Sequence, residues 1–297
     1  VRDALAYGKK IGLMGASISD YPEIDALCRS ILGEGLSMSV ASFRADSVTK
    51  ELVESLAASG LKTLTIAPEA GSARMRAVIN KGIEEHHLFT SVDLGAAAHI
   101  LNFKLYIMVG LPFEADEDID AIIDLTQRLR SYMDEKGCRG TLTLSVNPFV
   151  PKPFTPFQWM AAAEKKRMDA VMKRLTQALS RHKKIVVHFE SPKEARVQSI
   201  LARGDRRLGA PLIRAAMGRG AKDLAAEMRA DGLSEEGYLS PAWTEETYLP
   251  WDHLDMGFSK HYLWQEYERA KALLPTPICF DGCLRCGVCK PAERMTV

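Results

Sequence analysis

The sequence predicts an α/β fold. A partial (β/α)6 barrel over residues 1–183 is followed, over 184–297, by a mainly helical and irregular C-terminal extension that ends in four clustered cysteines. Three observations carry this expectation. Strand-like and helix-like segments alternate along the first 180 residues, which implies a parallel sheet with crossover helices. The central strands are apolar on one face and polar or small on the other, whereas an open doubly wound sheet is apolar on both. Beyond residue 184 the alternation gives way to irregular, helix-rich sequence.

The elements follow in order. Lys10 to Met14 is a short strand ending at Gly15, and Ile24, Leu27, Cys28, Ile31 and Leu32 fall at helical spacing between Pro22 and Gly33. Leu36 to Phe43 reads as strand, and Val48, Leu52 and Leu56 as a helix stopped by Gly60. Leu61 to Ala67 is strand, with Leu64 and Ile66 alternating with threonines, and a helix runs over roughly 84–98. Phe103 to Val109 is the clearest strand: Phe103, Leu105, Ile107 and Val109 alternate with Lys104, Tyr106, Met108 and Gly110. Ile119, Ile122 and Ile123 mark the next helix, which Glu114 is expected to cap. Leu142, Leu144 and Val146 form a strand alternating with Thr143, Ser145 and Asn147, and Met168, Val171, Leu175 and Leu179 stripe a long helix. Ile185 to Phe189 is one further strand candidate, 230–258 reads as loop, and a short helix covers Lys260 to Lys271. The polar strand faces predict a wet lumen that holds a sizeable ligand.

Composition narrows the function classes. The 297 residues carry a net charge of +1, so no global field favours nucleic acid or an anionic membrane. No apolar run approaches a membrane span. The start on Val1 reads as mid-helix, with no signal peptide, and suggests truncation or processing. Of six cysteines, Cys279, Cys283, Cys286 and Cys289 fall within eleven residues, which in a chain of this size favours metal ligation in a reducing cytoplasm over disulfides. Cys28 belongs on an apolar helix face and Cys138 in a polar turn.

A parallel barrel gathers its ligand at the C-terminal ends of its strands. Those ends carry Gly15-Ala16-Ser17, Ser42-Phe43-Arg44, Ala67-Pro68-Glu69 with Lys81 twelve residues on, Gly110-Leu111-Pro112-Phe113-Glu114, and the proline-rich run from Asn147 to Pro156. The runs TIAPEAGSARMRAVINKG, MVGLPFEADEDI and SVNPFVPKPFTPFQW resemble the fourth-, fifth- and sixth-strand segments of radical S-adenosylmethionine (radical SAM) enzymes. The later LARGDRRLG, LPWDHLDMGFSK and CLRCGVC resemble the C-terminal extension of a subgroup of Fe–S oxidoreductases in which a cobalamin-binding-type domain often precedes the barrel. Such segments in the expected order are specific where any one alone is common.

The resemblance implies a partial TIM-like barrel, seen from its second strand onward, and the cofactor S-adenosylmethionine lying across the strand ends. Gly15, Ala16 and Ser17 match the segment that meets the methionyl amino group, Glu69 a polar position near the ribose, and Lys81 a basic position facing the methionyl carboxylate. Met108 and Gly110 match the adenine-side strand, and Phe149 sits where backbone groups meet the adenine edge; Arg44 enters the same mouth. The resemblance also implies a [4Fe–4S] cluster on a Cys-x3-Cys-x2-Cys loop after the family's first strand, which would lie ahead of Val1. On that reading the upstream part of the same protein is the chain's partner, cobalamin belongs to the intact protein, and residues 1–297 alone are inactive. The C-terminal Cys-x3-Cys-x2-Cys-x2-Cys set suits a second iron–sulfur cluster or a tetrahedral zinc. An incomplete barrel exposes strand edges, so self-association is expected too.

Plainer readings stand beside these. Glu69 and Lys81 also suit a structural ion pair, the Pro148–Pro156 run a stiff connection, and the arginines 203, 206, 207, 214 and 219 intrachain partners or a solvated face in preference to an RNA site. His188, His253 and His261 share no ligand spacing. The rival functions are a metal- or RNA-binding module on a barrel relic and a non-radical barrel enzyme. The substrate is not written in the residues.

Overall fold

The structure is a computed structural model that describes residues 1–15, 17–218 and 220–289. Ala16 and Arg219, both singled out above, lie outside the described residues. Six strands, β1 (Lys10–Leu13), β2 (Ser37–Val40), β3 (Thr63–Glu69), β4 (Asn102–Val109), β5 (Leu142–Pro148) and β6 (Ile185–Phe189), run parallel and in chain order. β1 pairs with β2, and β3 to β6 form a second continuous sheet. A single parallel bridge from Phe43 to Ile66, closed by Phe43 N–H to Thr65 O and Ala67 N–H to Phe43 O, joins the two. The fold is therefore the α/β, partial TIM-like barrel that the alternation predicts, opened between β1 and β6. The full register of β6 on β5, from Ile185 opposite Leu142 to Phe189 opposite Val146, carries the sheet past residue 183.

Six helices cover the outside: α1 (Ile24–Gly33), α2 (Lys50–Ala58), α3 (Ala73–Val78), α4 (Glu85–Ala97), α5 (Asp116–Glu135) and α6 (Lys165–Leu179). The apolar face of β4 and β5, from Phe103 to Val109 and from Leu142 to Val146, is fully buried against Leu88, Val92, Ile119, Leu129 and Leu175. A dozen or more such side chains, each contributing roughly 1.5–3 kcal/mol when buried, make this the main core. The opposite face stays partly open along both strands. There the Lys104 ammonium lies 4.8 Å from the Tyr106 ring centre, and Thr143, Ser145 and Asn147 continue the polar lumen.

The extension contains α7 (Pro192–Arg203), α8 (Gly209–Met217), α9 (Leu224–Ala230), α10 (Glu235–Leu239) and α11 (Lys260–Lys271). The loop expected over 230–258 thus includes one short helix, begun by the Ser234 hydroxyl accepting from Gly237 N–H. The proline-rich exit of β5 does more than stiffen a connection. Its Gln158 accepts from Trp251 Nε1 at 2.7 Å, and its buried Trp159 packs edge-on against Trp264 of α11, ring centres 5.0 Å apart. Arg203, 1% exposed, is the central polar tie. It donates to the carbonyls of Tyr238, Met160 and Pro241 and stacks 3.7 Å from the Trp243 ring. Burial pulls its guanidinium down to about 10. Arg207 is held by Asp205, and Arg214 by Glu227 and Asp231. These arginines have the intrachain partners that the sequence favoured.

Candidate functional site at the barrel mouth

The strand ends bring three of the sequence-selected charges together. β3 ends with Glu69 in the left-handed region, φ 66°, where a side chain costs on the order of 1–3 kcal/mol. α3 follows, begun by Ser72, whose hydroxyl accepts from Met75 N–H at 3.0 Å. The turn after it returns Lys81 to the mouth, its Nζ 3.3 Å from Glu69 Oε1. Arg44, at the exit of β2, donates to the Lys81 carbonyl at 2.9 Å and pairs with Asp46 at 2.7 Å. Burial pushes the Glu69 carboxyl above its ordinary value, while the Lys81 ammonium pulls the other way. The result is a partly buried acid–base pair, each member about one-fifth exposed.

Two residues absent from the sequence reading hold this loop. Buried Arg76 donates to the carbonyls of Ala70, Gly71 and Ile83. Asp118, buried at the start of α5, accepts from the Ser72 hydroxyl at 2.6 Å, from Arg74 and from Ala115 N–H at 2.8 Å. Asp118 is therefore the cap of α5 that was expected of Glu114. A capping acid three residues into a helix is the readable signal, and three consecutive acids at 116–118 obscure which one serves. Glu114 instead folds back to accept from Gly110 N–H at 2.8 Å, and burial pushes its carboxyl up to about 7.

Met108, at the end of β4, and Phe149, at the exit of β5, line a cavity of about 600 Å3 between the strand ends and α11. Ala270 of α11 shares their apolar cluster. Gly110 stands apart from that cavity. Its φ is 76°, and a Cβ there would lie 2.6 Å from Ala163 and 2.9 Å from Met168, so it is a packing glycine where β4 meets α6. Gly15 and Ser17 lie at the exit of β1, Ser17 beginning a short 3-10 helix, Ile18–Asp20, whose Asp20 is 3.9 Å from Arg44. The mouth thus gathers Arg44, Glu69 and Lys81 as one group and Met108 and Phe149 as another.

The four C-terminal cysteines lie in an irregular segment after α11. Among the described residues no three His, Cys, Asp or Glu side chains are grouped as a metal ion requires. Cys283 is buried, Cys286 half-buried, and Cys279 and Cys289 exposed. Glycines with positive φ, Gly282 and Gly287, stand next to Cys283 and Cys286. Ser259 N–H donates to the Cys286 carbonyl at 2.9 Å, which ties the segment to the start of α11. Cys28 is a core residue as expected; Cys138 is fully buried as well, not incidental to a polar turn. No helix among the described residues is long and apolar enough to cross a membrane.

The chain is 37% identical over 201 residues to an uncharacterized protein, MJ0966, of Methanocaldococcus jannaschii, a match covering 67% of this chain and 42% of the relative. The chain therefore spans less than half the length of that curated relative. Among solved structures, the crystal structure of Streptococcus suis SuiB superposes with a TM-score of 0.42 at 13% identity, over 64% of this chain and 41% of the other. Residues 1–126, which contain the whole Arg44–Glu69–Lys81 group together with Met108 and Gly110, match the Radical SAM superfamily.

Proposed function

We propose that the barrel mouth binds S-adenosylmethionine and that the intact protein is a radical SAM oxidoreductase acting on a substrate still to be identified. The observation that carries this is the Glu69–Lys81 pair, held on a strained strand end inside the segment that matches the superfamily. The residues present suit the cofactor chemically. Lys81 offers an ammonium to the methionyl carboxylate, which frees Glu69 to accept from two vicinal ribose hydroxyls. Met108 and Phe149 offer apolar surface to a flat base. Gly15, Ala16 and Ser17 keep the methionyl amino group, and Arg44 braces the Lys81 carbonyl from below.

With a [4Fe–4S] cluster, bound S-adenosylmethionine would supply one-electron radical chemistry; the barrel's part would be to orient the cofactor and keep water out. In this reading the cluster's thiolates belong to the protein ahead of β1, as does any cobalamin-binding domain, and residues 1–297 bind the cofactor without cleaving it. The four C-terminal thiols are a separate site for an iron–sulfur cluster or zinc. Support for it is the pair of glycine turns beside Cys283 and Cys286.

Calorimetric titration of S-adenosylmethionine into the chain tests the central reading. The expected result is saturable one-to-one binding that Lys81→Ala and Glu69→Gln each weaken by about tenfold to a hundredfold, the worth of a charge-assisted contact. A folded chain that takes up no S-adenosylmethionine sinks it.

A further inference from the structure

The cavity roofed by α11 has a chemistry of its own. Its volume of about 600 Å3 is that of a small-molecule site. Carbon faces it from several elements: Val78 of α3, Met108 and Leu111 at the end of β4, Phe149 and Phe157 on the β5 exit, and Ala270 of α11. The charged lining is two cations and one acid: Lys152, Arg269 and Glu266. The acid is already engaged. Glu266, 10% exposed, accepts from the Thr276 hydroxyl and lies 3.5 Å from Arg269 Nε. The terminal nitrogens of Arg269 and the ammonium of Lys152 have no partner among the described residues. An apolar chamber whose open charges are both positive selects a ligand with the reverse pattern.

We propose that this cavity is the substrate site and that its substrate is an apolar body with one anionic head, a carboxylate or a phosphate, met by Lys152 and Arg269. Naming it the substrate site rests on the reading of the mouth as a S-adenosylmethionine site; the ligand chemistry does not. Met108 and Phe149 are common to both, so the two sites adjoin. Segment 266–276 supplies Glu266, Arg269, Ala270, Leu274 and Thr276 to the lining. Thr276 N–H also donates to Asn80 Oδ1 at 3.3 Å, on the far side of the opening. The extension therefore shapes the cavity and sets what enters it.

The test is calorimetry with four ten-carbon probes on the chain as it stands: decanoate, decyl phosphate, decanol and decyltrimethylammonium. Decanoate or decyl phosphate binds one per chain, and the tighter of the two identifies the head. Decanol and the cationic probe bind at least about tenfold more weakly. Lys152→Gln and Arg269→Gln, both surface-accessible changes, each weaken the anions by about tenfold and leave decanol unchanged. Ala77→Trp, at an exposed lining position of α3, blocks all four. Equal binding of all probes, anion binding indifferent to both charge substitutions, or no binding at all overturns the proposal. One-for-one displacement of decanoate by S-adenosylmethionine gives the cavity to the cofactor and overturns it too. Decanoate binding without any S-adenosylmethionine binding leaves the ligand class standing and overturns the radical reading together with the cavity's assignment as its substrate site.

Discussion

Glu114 takes its chemistry from the turn that carries it. The left-handed Gly110 and Phe113 fold the chain back so that the carboxylate meets Gly110 N–H. Burial then raises its proton affinity to about pH 7 from an ordinary 4.5, against the opposing pull of Gly110 N–H and Arg167. A raised carboxyl binds its proton more tightly in the folded state, so the native protein loses stability as pH climbs from about 4.5 to about 7. Glu114→Gln keeps the acceptor and removes the titration. Its melting temperature should fall less across that window than the parent's, so that the variant is the more stable at pH 8; parallel melting curves would refute the assignment. Single residues were legible where one neighbour decides them. Cys28 sits at helical spacing with Ile24 and Ile31 and is core. Cys138 follows Gly137 in a polar stretch, yet its N–H bonds Met133 O and its carbonyl takes Arg130, contacts that only the folded helix end creates.

Elements were legible in proportion to their length and periodicity. α11 spans Lys260–Lys271 as read, and β4 and α4 differ by a residue or two at their ends. α3 is six residues long, too short for a periodic apolar stripe, and its role depends on Arg76 reaching carbonyls before and after it. The cysteine segment is legible as spacing alone, and what joins it to α11 is a backbone bond from Ser259 that no composition announces. Metal binding there belongs to the element. Aerobic purification should leave about one zinc per chain, or anaerobic reconstitution a charge-transfer absorbance from iron–sulfur, either being lost in Cys283→Ser and Cys286→Ser. Metal-free, colourless protein under both conditions would return the four thiols to an ordinary reduced loop. Removal of bound metal by chelator should lower the thermal stability of the extension.

At the scale of the whole molecule the alternating strands announced both the curvature and the wet lumen, since Lys104, Tyr106, Ser145 and Asn147 could not share a dry core. The joint between β2 and β3, a single bridge at Phe43, was not legible, because it rests on two hydrogen bonds beyond the end of a strand. Among the described residues β1 and β6 each keep one unpaired edge, and such edges recruit further strands. Sedimentation of the chain should show a species heavier than one copy. A strictly monomeric chain would mean the edges are covered within it.

Arg203 gives the molecule a built-in reporter. Trypsin hydrolyses after arginine and lysine, and it needs several residues of accessible, extended chain. Arg206 and Arg207 are exposed and sit three and four residues further on, whereas Arg203 is sealed under Trp243 with three carbonyls on its guanidinium. Limited digestion of the native chain should therefore spare the bond at 203. A fragment ending at Arg203 then appears only when the Tyr238–Trp243 segment opens away from α7, and its rate of appearance clocks that opening.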